Sequence, residues 1–165
     1  MSSKYIVRQP IKDKDSHIVG YEIQYHGENH AFSSGPNQQQ TTDFAAADTI
    51  YNFLTLNTDK LLRGALHFMT FTTTLLMKKT PRLFDKDELV IQIDDSVIIH
   101  PLAMHMIRQY TKEGYKSAVN EFQFAPRYLA MLDSIDYIKL NFQNTQELTL
   151  KNIIEIAHSM NKQCI

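Results

Sequence analysis

Oxygen-bearing side chains follow the apolar runs of this 165-residue chain, and their type and spacing could support chemistry. They are Asp94, Asp95, Asn120, Glu121 and Asn141. Carboxylate and amide oxygens can hold a hard cation or accept hydrogen bonds from a ligand. Folds with parallel strands place such groups at the carboxyl ends of those strands. Whether these residues form a working site depends on the elements that position them.

Three short apolar runs precede these polar residues, at 89–94, 116–122 and 136–141. Short runs that are rich in β-branched and aromatic residues are typical of strands. The segments that separate and follow them have helical spacing, most clearly residues 101–113 and 147–160. Because strands and helices alternate, we expect parallel strands that are buried on both faces.

Composition places the chain among ordinary globular domains. Hydrophobic residues make up 43% of it and charged residues 21%, and its length predicts one domain over residues 1–165. A formal net charge of −1 favours neither nucleic acid nor acidic lipid as a partner. No apolar run approaches the roughly 20 residues of a membrane span. The single cysteine, Cys164, suits a reducing compartment, so we expect a cytoplasmic protein.

The first part of the chain has a different pattern. Strands are predicted at 5–11 and 18–25, and together they form a hairpin. A polar loop at 27–42 follows, with helices at 43–53 and 57–64. The hairpin makes the opening of the sheet antiparallel, unlike the strands that come later.

The later strands recur at a regular interval. Their predicted starts are near residues 67, 89, 116, 136 and 163. This interval suits a βα barrel, but a closed eight-stranded barrel usually needs about 200 residues or more. We therefore expect an α/β fold of about six to seven strands. It would be either an incomplete barrel or an open sheet whose edge is covered by something else.

Short motifs, taken in order, resemble the EAL domain, the cyclic di-GMP phosphodiesterase family. Glu22-Ile23-Gln24 stands where that family has its Glu-Ala-Leu signature on the second strand. Three later segments match family motifs in order and spacing: 89–96 for Leu-Glu-Ile-Thr-Glu-Ser, 119–122 for Leu-Asp-Asp-Phe and 136–141 for Asp-Tyr-Leu-Lys-Ile-Asp. Residues 8–11 and 19–22 are most similar to the variant EAL domains of EAL-HDOD signalling proteins.

The resemblance covers nearly the whole chain and implies a (β/α) barrel with an antiparallel first strand. The predicted hairpin agrees with that topology. By this likeness, residues 163–165 begin the seventh strand. The chain would then be a single degenerate EAL-like domain, residues 1–165, that lacks the last part of the barrel.

The resemblance also assigns ligand positions. EAL enzymes hydrolyse a phosphodiester with two divalent metals. Their signature glutamate corresponds to Glu22, their catalytic lysine to Lys139, and one of their paired aspartates to Glu121. Uncharged side chains stand at the other positions: Thr70, Gln92, Asn120 and Asn141. His26 replaces an arginine that contacts phosphate in the family.

These replacements predict that metal binding and hydrolysis are lost. Two carboxylates cannot readily neutralise two divalent ions that lie about 4 Å apart. We therefore expect no metal, no cofactor and no enzymatic activity, with Glu22, Glu121 and Lys139 as remnants of the site. Lys139 is expected to be a structural lysine that pairs with Glu22 or Glu121. Asn120 and Asn141 are expected to satisfy backbone groups of loops.

Other polar residues have structural interpretations. Asp94 and Asp95 predict a turn and a helix cap. His100 and His105 lie on different faces of a helix, so they predict no metal site. Cys164 has no nearby activating group in the sequence and is expected to be unreactive.

Two classes of function follow. One is an inactive regulatory module that contacts a protein partner, an adjacent signalling domain or a second copy of itself. It would do so through an open sheet edge and exposed Met and Tyr side chains. The other is a metal-independent receptor for cyclic di-GMP, in which Gln9, Glu22 and Lys139 contact the ligand. His26 weakens this alternative, because an imidazole holds phosphate less firmly than a guanidinium group.

Overall fold

The computed structural model of the chain describes residues 5–26, 46–48, 50–51, 65–143 and 145–165. Within these residues, seven strands form a single sheet in chain order. They are β1 (Tyr5–Lys12), β2 (Ile18–His26), β3 (Leu66–Thr70), β4 (Leu89–Ile93), β5 (Lys116–Asn120), β6 (Tyr137–Lys139) and β7 (Gln163–Cys164). The β1–β2 pair is antiparallel and every later neighbouring pair is parallel. The predicted incomplete barrel with an antiparallel first strand is confirmed.

Helices follow the parallel strands. They are α1 (Thr73–Met77), α2 (Asp95–Ile98), α3 (Pro101–Glu113), α4 (Pro126–Leu129) and α5 (Glu147–Ser159), with 3₁₀ turns at Thr80–Leu83 and Leu132–Ser134. The predicted helix 43–53 is described only at residues 46–48 and 50–51, which are helical. The predicted loop 27–42 and helix 57–64 lie outside the described residues. None of the described helices has both the length and the hydropathy needed to cross a bilayer.

Helix α3 shows how local sequence sets an element. Pro101 occupies its first turn, where a missing N–H costs nothing, and His100 Nδ1 accepts a hydrogen bond at its start. Gly114 ends the helix at φ 101°, a left-handed conformation that favours glycine. Buried Tyr110 donates from its hydroxyl to the Leu76 carbonyl at 2.6 Å. This hydrogen bond ties α3 to the C-terminal part of α1.

The main core lies between the sheet and the helices. All five residues of β4 are buried, as expected for a central parallel strand. Ile91 on β4 and Val119 on β5 belong to one apolar cluster with Ile107 of α3 and Ile153 of α5. This packing holds one side of the sheet against the helical layer.

The other side of the sheet is concave. The rings of Phe68 on β3 and Tyr137 on β6 lie 5.1 Å apart. Three strand spacings separate these strands, which would be about 14 Å in a flat sheet. The sheet therefore curls toward this side, which we call the inner face. Phe68 and Tyr137 share a small apolar cluster there with Ile11, Val90 and Ala118.

Gly20 allows β2 to approach β3 closely. A Cβ atom at this position would lie 2.7 Å from the Leu66 carbonyl oxygen, which is too close for any real contact. The close approach explains why the residue two positions before Glu22 has no side chain. It also fixes where Glu22 stands on the inner face.

Two strands end earlier than the sequence predicted. Strand β5 stops at Asn120 rather than at residue 122, because Glu121 adopts φ 53°, which breaks the extended conformation. Strand β6 stops at Lys139 rather than at residue 141.

Candidate functional site

The polar residues selected from the sequence share the inner face. Strands β1 to β6 contribute one each: Gln9, Glu22, Thr70, Gln92, Asn120 and Lys139. Residues in register on neighbouring strands face the same side, and the set contains three such pairs: Gln9–Glu22, Thr70–Gln92 and Asn120–Lys139. Phe68 is in register with Glu22 and lies two residues before Thr70. Ala118 is in register with Gln92 and lies two residues before Asn120, so Gln92 and Asn120 also face the same side.

Lys139 and Glu22 form an ion pair on this face. Lys139 Nζ lies 2.6 Å from Glu22 Oε2, and the two side chains are only 21% and 19% exposed. The other carboxylate oxygen of Glu22 accepts a hydrogen bond from Gln24 Nε2 at 3.3 Å. The prediction that Lys139 pairs with Glu22 or Glu121 is confirmed, and the partner is Glu22.

Gln92 is the most deeply buried member of the polar set. Its side chain is 0% exposed, and its Nε2 lies 3.4 Å from Thr70 Oγ1. Its Oε1 is buried and has no hydrogen-bond partner among the described residues. A neutral amide tolerates this environment far better than a carboxylate would, because burial penalises the charged form.

The two asparagines differ from each other. Asn141 Oδ1 accepts a hydrogen bond from the Gln143 backbone N–H at 3.0 Å, as predicted for a loop residue. The same prediction for Asn120 is wrong with respect to its oxygen. Asn120 Oδ1 is buried without a hydrogen-bond partner in the described part of the chain, because Asn120 is the last residue of β5 and faces inward.

Glu121 lies at the rim of the inner face rather than within it. Its side chain is exposed, and its backbone N–H donates to the Lys139 carbonyl at 3.1 Å. Three adjoining grooves, of about 580, 300 and 470 Å³, all have Glu121 in their walls. The largest is also bounded by Asp94, Lys139 and Phe142. A carboxylate in this position is available to solvent or to a ligand in the groove.

Asp94 and Asp95 serve the structure of the rim. Asp94 caps α2 by accepting from the Ser96 backbone N–H at 3.0 Å, so the predicted turn and cap are confirmed. Asp95 pairs with Arg127 at 2.8 Å, and this hydrogen bond lowers the pKa of the carboxyl group. Burial and a hydrogen bond with Asp95 raise the pKa of Tyr128 to about 12. Arg127 thus neutralises Asp95, whereas Asp94 lies in the wall of the largest groove as well as capping α2.

A further group of potential ligands lies in the turn between β1 and β2, and the sequence analysis missed it. One ligand atom each from Asp13, Asp15 and His17 lies within 4.8 Å of the others, and all three residues are exposed. Asp13 Oδ1 accepts from the backbone N–H groups of Asp15 and His17, at 2.9 Å each. These two hydrogen bonds hold the turn together, so the structure of the turn is enough to explain why the three side chains lie close to one another.

Cys164 and His26 were also discussed from the sequence. Burial raises the pKa of the Cys164 thiol, which agrees with the expectation that it is unreactive. The side chain of His26 lies outside the described residues.

Comparison with known proteins gives relatives of low identity. No protein-family model matches the chain. The uncharacterized protein YuxH of Bacillus subtilis (strain 168) is 28% identical over 157 residues, which are 92% of this chain and 37% of YuxH. The cyclic di-GMP phosphodiesterase CdgJ of Vibrio cholerae serotype O1 is 23% identical over 142 residues, 86% of this chain and 32% of CdgJ. The chain thus spans about a third of these curated relatives.

Solved structures are similar over the full described sheet. Bacillus subtilis YkuI, a protein with an EAL domain that was crystallised with its substrate c-di-GMP and calcium, superimposes with a TM-score of 0.68 at 16% identity. The match covers 98% of this chain and 48% of YkuI. The antiparallel first strand, the parallel strands after it and this superposition together identify the fold of the chain as that of an EAL domain, incomplete in its barrel.

Proposed function

We propose that this chain is a catalytically inactive EAL-like module of cyclic di-GMP signalling, which acts through contacts with a protein partner or an adjacent domain. The ion pair between Glu22 and Lys139 is the observation that carries the proposal. In this chain the signature glutamate is bound to an ammonium group, at 2.6 Å, instead of being free for a metal.

The charge of the inner face supports the loss of catalysis. Thr70, Gln92 and Asn120 are neutral, and Glu22 is matched by Lys139. Among the described residues, Glu121 and the capping residue Asp94 are the carboxylates in the wall of the largest groove. Divalent ions need several oxygen ligands, chiefly carboxylates, and two such ions repel one another strongly at about 4 Å. The residues present therefore do not fit a two-metal site, and we derive no hydrolytic step through one.

The surface near the site supports a role in protein contacts. Phe124 is 43% exposed, Phe142 70% and Leu148 71%. Phe124 lines the groove of about 470 Å³, and Phe142 lines the adjoining groove of about 580 Å³. Exposed apolar side chains that are grouped around a groove are typical of binding surfaces.

The predicted exposure of Met and Tyr side chains is confirmed in part. Tyr51, Met77 and Met160 are exposed. Tyr110, Tyr128 and Tyr137 are buried, as are Met69 and Met131. These side chains fill the core, so the exposed apolar surface consists chiefly of Phe, Leu and Ile in the described part of the chain.

A metal-independent receptor for cyclic di-GMP is the second candidate. The groove of about 580 Å³ beside Lys139 and Phe142 is large enough for a small ligand. Against this candidate, a phosphate group would have to compete with Glu22 for the Lys139 ammonium group. Gln9 is exposed opposite Glu22 and could reach a ligand that extends toward β1.

Titration calorimetry with cyclic di-GMP, with and without magnesium, separates the candidates. The regulatory module predicts no heat of binding in either titration and no hydrolysis in a parallel assay. Equal heats in both titrations, without hydrolysis, would favour the receptor. Magnesium-dependent hydrolysis would overturn the proposal. A monomeric mass at high concentration would separately contradict the predicted homodimer.

A further inference from the structure

The ion pair between Glu22 and Lys139 joins two strands that are far apart in the sheet. Strands β2 and β6 are separated by four strand spacings, about 19 Å in a flat sheet. Their side chains nevertheless meet at 2.6 Å. The contact therefore spans the concavity of the inner face instead of following the hydrogen-bonded ladder.

The side chains around the ion pair offer neither Glu22 nor Lys139 another partner of opposite charge at the same level of the described sheet. The inner-face residues at the carboxyl ends of the strands between them, Thr70, Gln92 and Asn120, are neutral. Lys116 is in register with Val90 at the start of β5, two positions before Ala118. Breaking the pair would leave a charge in a site where each side chain is only about one-fifth exposed. Removing one partner of such a pair is costly because the other charge is then poorly solvated.

The part of the sheet that the pair holds is weakly built. Strand β6 has three residues and β7 has two. Only three residues of β5 are in register with β6 and only two of β7 are. A direct link from β6 to the nine-residue strand β2 adds a restraint that these short ladders lack.

We propose that the ammonium group of Lys139 is the counter-charge of Glu22 on the inner face and that this ion pair braces β6 against β2. This brace would hold whether or not the module binds nucleotide, so it goes beyond the proposed function. The curvature of the half barrel would then depend on a side chain and not on a bound ion.

A double-mutant cycle in thermal unfolding tests the brace. Lys139→Met and Glu22→Gln should each lower the melting temperature, and the double variant should melt about 4 °C or more above the value expected from adding the two losses. Lys151→Met is the matched control, because Lys151 pairs with Glu147 on an exposed surface of α5 and should change little. Additive losses, or a loss from Lys139→Met no larger than the control, would overturn the proposal.

Hydrogen exchange gives a second measurement. It distinguishes a brace between β2 and β6 from a role of Lys139 within its own strand. Lys139→Met and Glu22→Gln should each speed amide exchange in both β2 and β6, although these strands lie far apart in sequence. Faster exchange in the mutated strand alone would refute the brace. The melting temperature of the unmutated chain should be the same in chelator, magnesium and calcium. A rise with either ion that is absent from Glu22→Gln would show that a metal holds Glu22 after all.

Discussion

Placing a carboxylate at Gln92 tests whether the inner face can hold a negative charge at the position that the sequence analysis matched to a glutamate of the EAL family. Gln92 is 0% exposed, its amide nitrogen lies 3.4 Å from Thr70 Oγ1, and the nearby ammonium of Lys139 is already bound to Glu22. In Gln92→Glu the new carboxyl group would be buried without a counter-charge. It would therefore bind a proton in the folded state at neutral pH.

The expected loss of unfolding free energy can be calculated from the binding of that proton. The unfolded chain ionises the new carboxyl group near its ordinary pKa of about 4.3, which is about 2.7 units below pH 7, and each unit corresponds to about 1.36 kcal/mol. Gln92→Glu should therefore lose about 3.7 kcal/mol of unfolding free energy at pH 7. At pH 5 the loss should shrink to about 1 kcal/mol, because the unfolded chain is then closer to being protonated as well.

Urea unfolding of Gln92→Glu at pH 7 and pH 5 measures both values. Gln163→Glu serves as the control, because Gln163 is exposed on β7 and a carboxylate there stays hydrated. Equal losses at the two pH values, or no loss at all, would refute the reasoning. Recovery of stability on adding magnesium would show that Lys139 yields Glu22 to an ion, contrary to the role inferred for it.

Three further predictions concern the scaffold. Tyr110→Phe removes the buried hydrogen bond to the Leu76 carbonyl and should cost about 1–2 kcal/mol in urea unfolding. Burial lowers the pKa of His67, so the unfolded chain binds its proton more readily. Stability should fall as pH drops below about 6.5, and His67→Gln should flatten that part of the profile. Gly20→Ala should destabilise by about 1–3 kcal/mol, because its Cβ would meet the Leu66 carbonyl oxygen at 2.7 Å.

A different result would contradict each of these three predictions. Tyr115 donates to the Phe84 carbonyl at 3.0 Å in a less buried place, so Tyr115→Phe should cost less than Tyr110→Phe, and the reverse order would count against the burial argument. A His67→Gln variant whose stability falls with pH as steeply as that of the unmutated chain would contradict the role of the buried His67. A Gly20→Ala variant as stable as the unmutated chain would mean that β2 and β3 can separate at no cost.

The order of strands could be predicted because parallel strands have a strong sequence signal. Strand β4 is apolar at four of its five positions, and the helices after β4 and β6 have regular apolar spacing. The antiparallel opening was predictable from the short turn between two alternating segments. The cap at Asp94 was predictable because Asp followed by a helix-forming segment is a common start signal.

Contacts that depend on the curvature of the sheet could not be predicted from the sequence. The sequence offered Glu22 and Glu121 equally as partners of Lys139, and only the curl of the sheet brings Glu22 within 2.6 Å. The early end of β5 was also hidden, since nothing in the residue type of Glu121 indicates a left-handed backbone. The ligand cluster at Asp13 was missed because turn geometry, not spacing alone, gathers its side chains.

The backbone at Glu121 has a consequence for how this edge of the molecule can change. A side chain at φ 53° carries about 1–2 kcal/mol of steric strain that glycine would not. Exchange for glycine would therefore remove the carboxylate from all three grooves while relaxing the chain. An acidic group at this rim therefore costs the chain that strain, so charge and stability are coupled at this position.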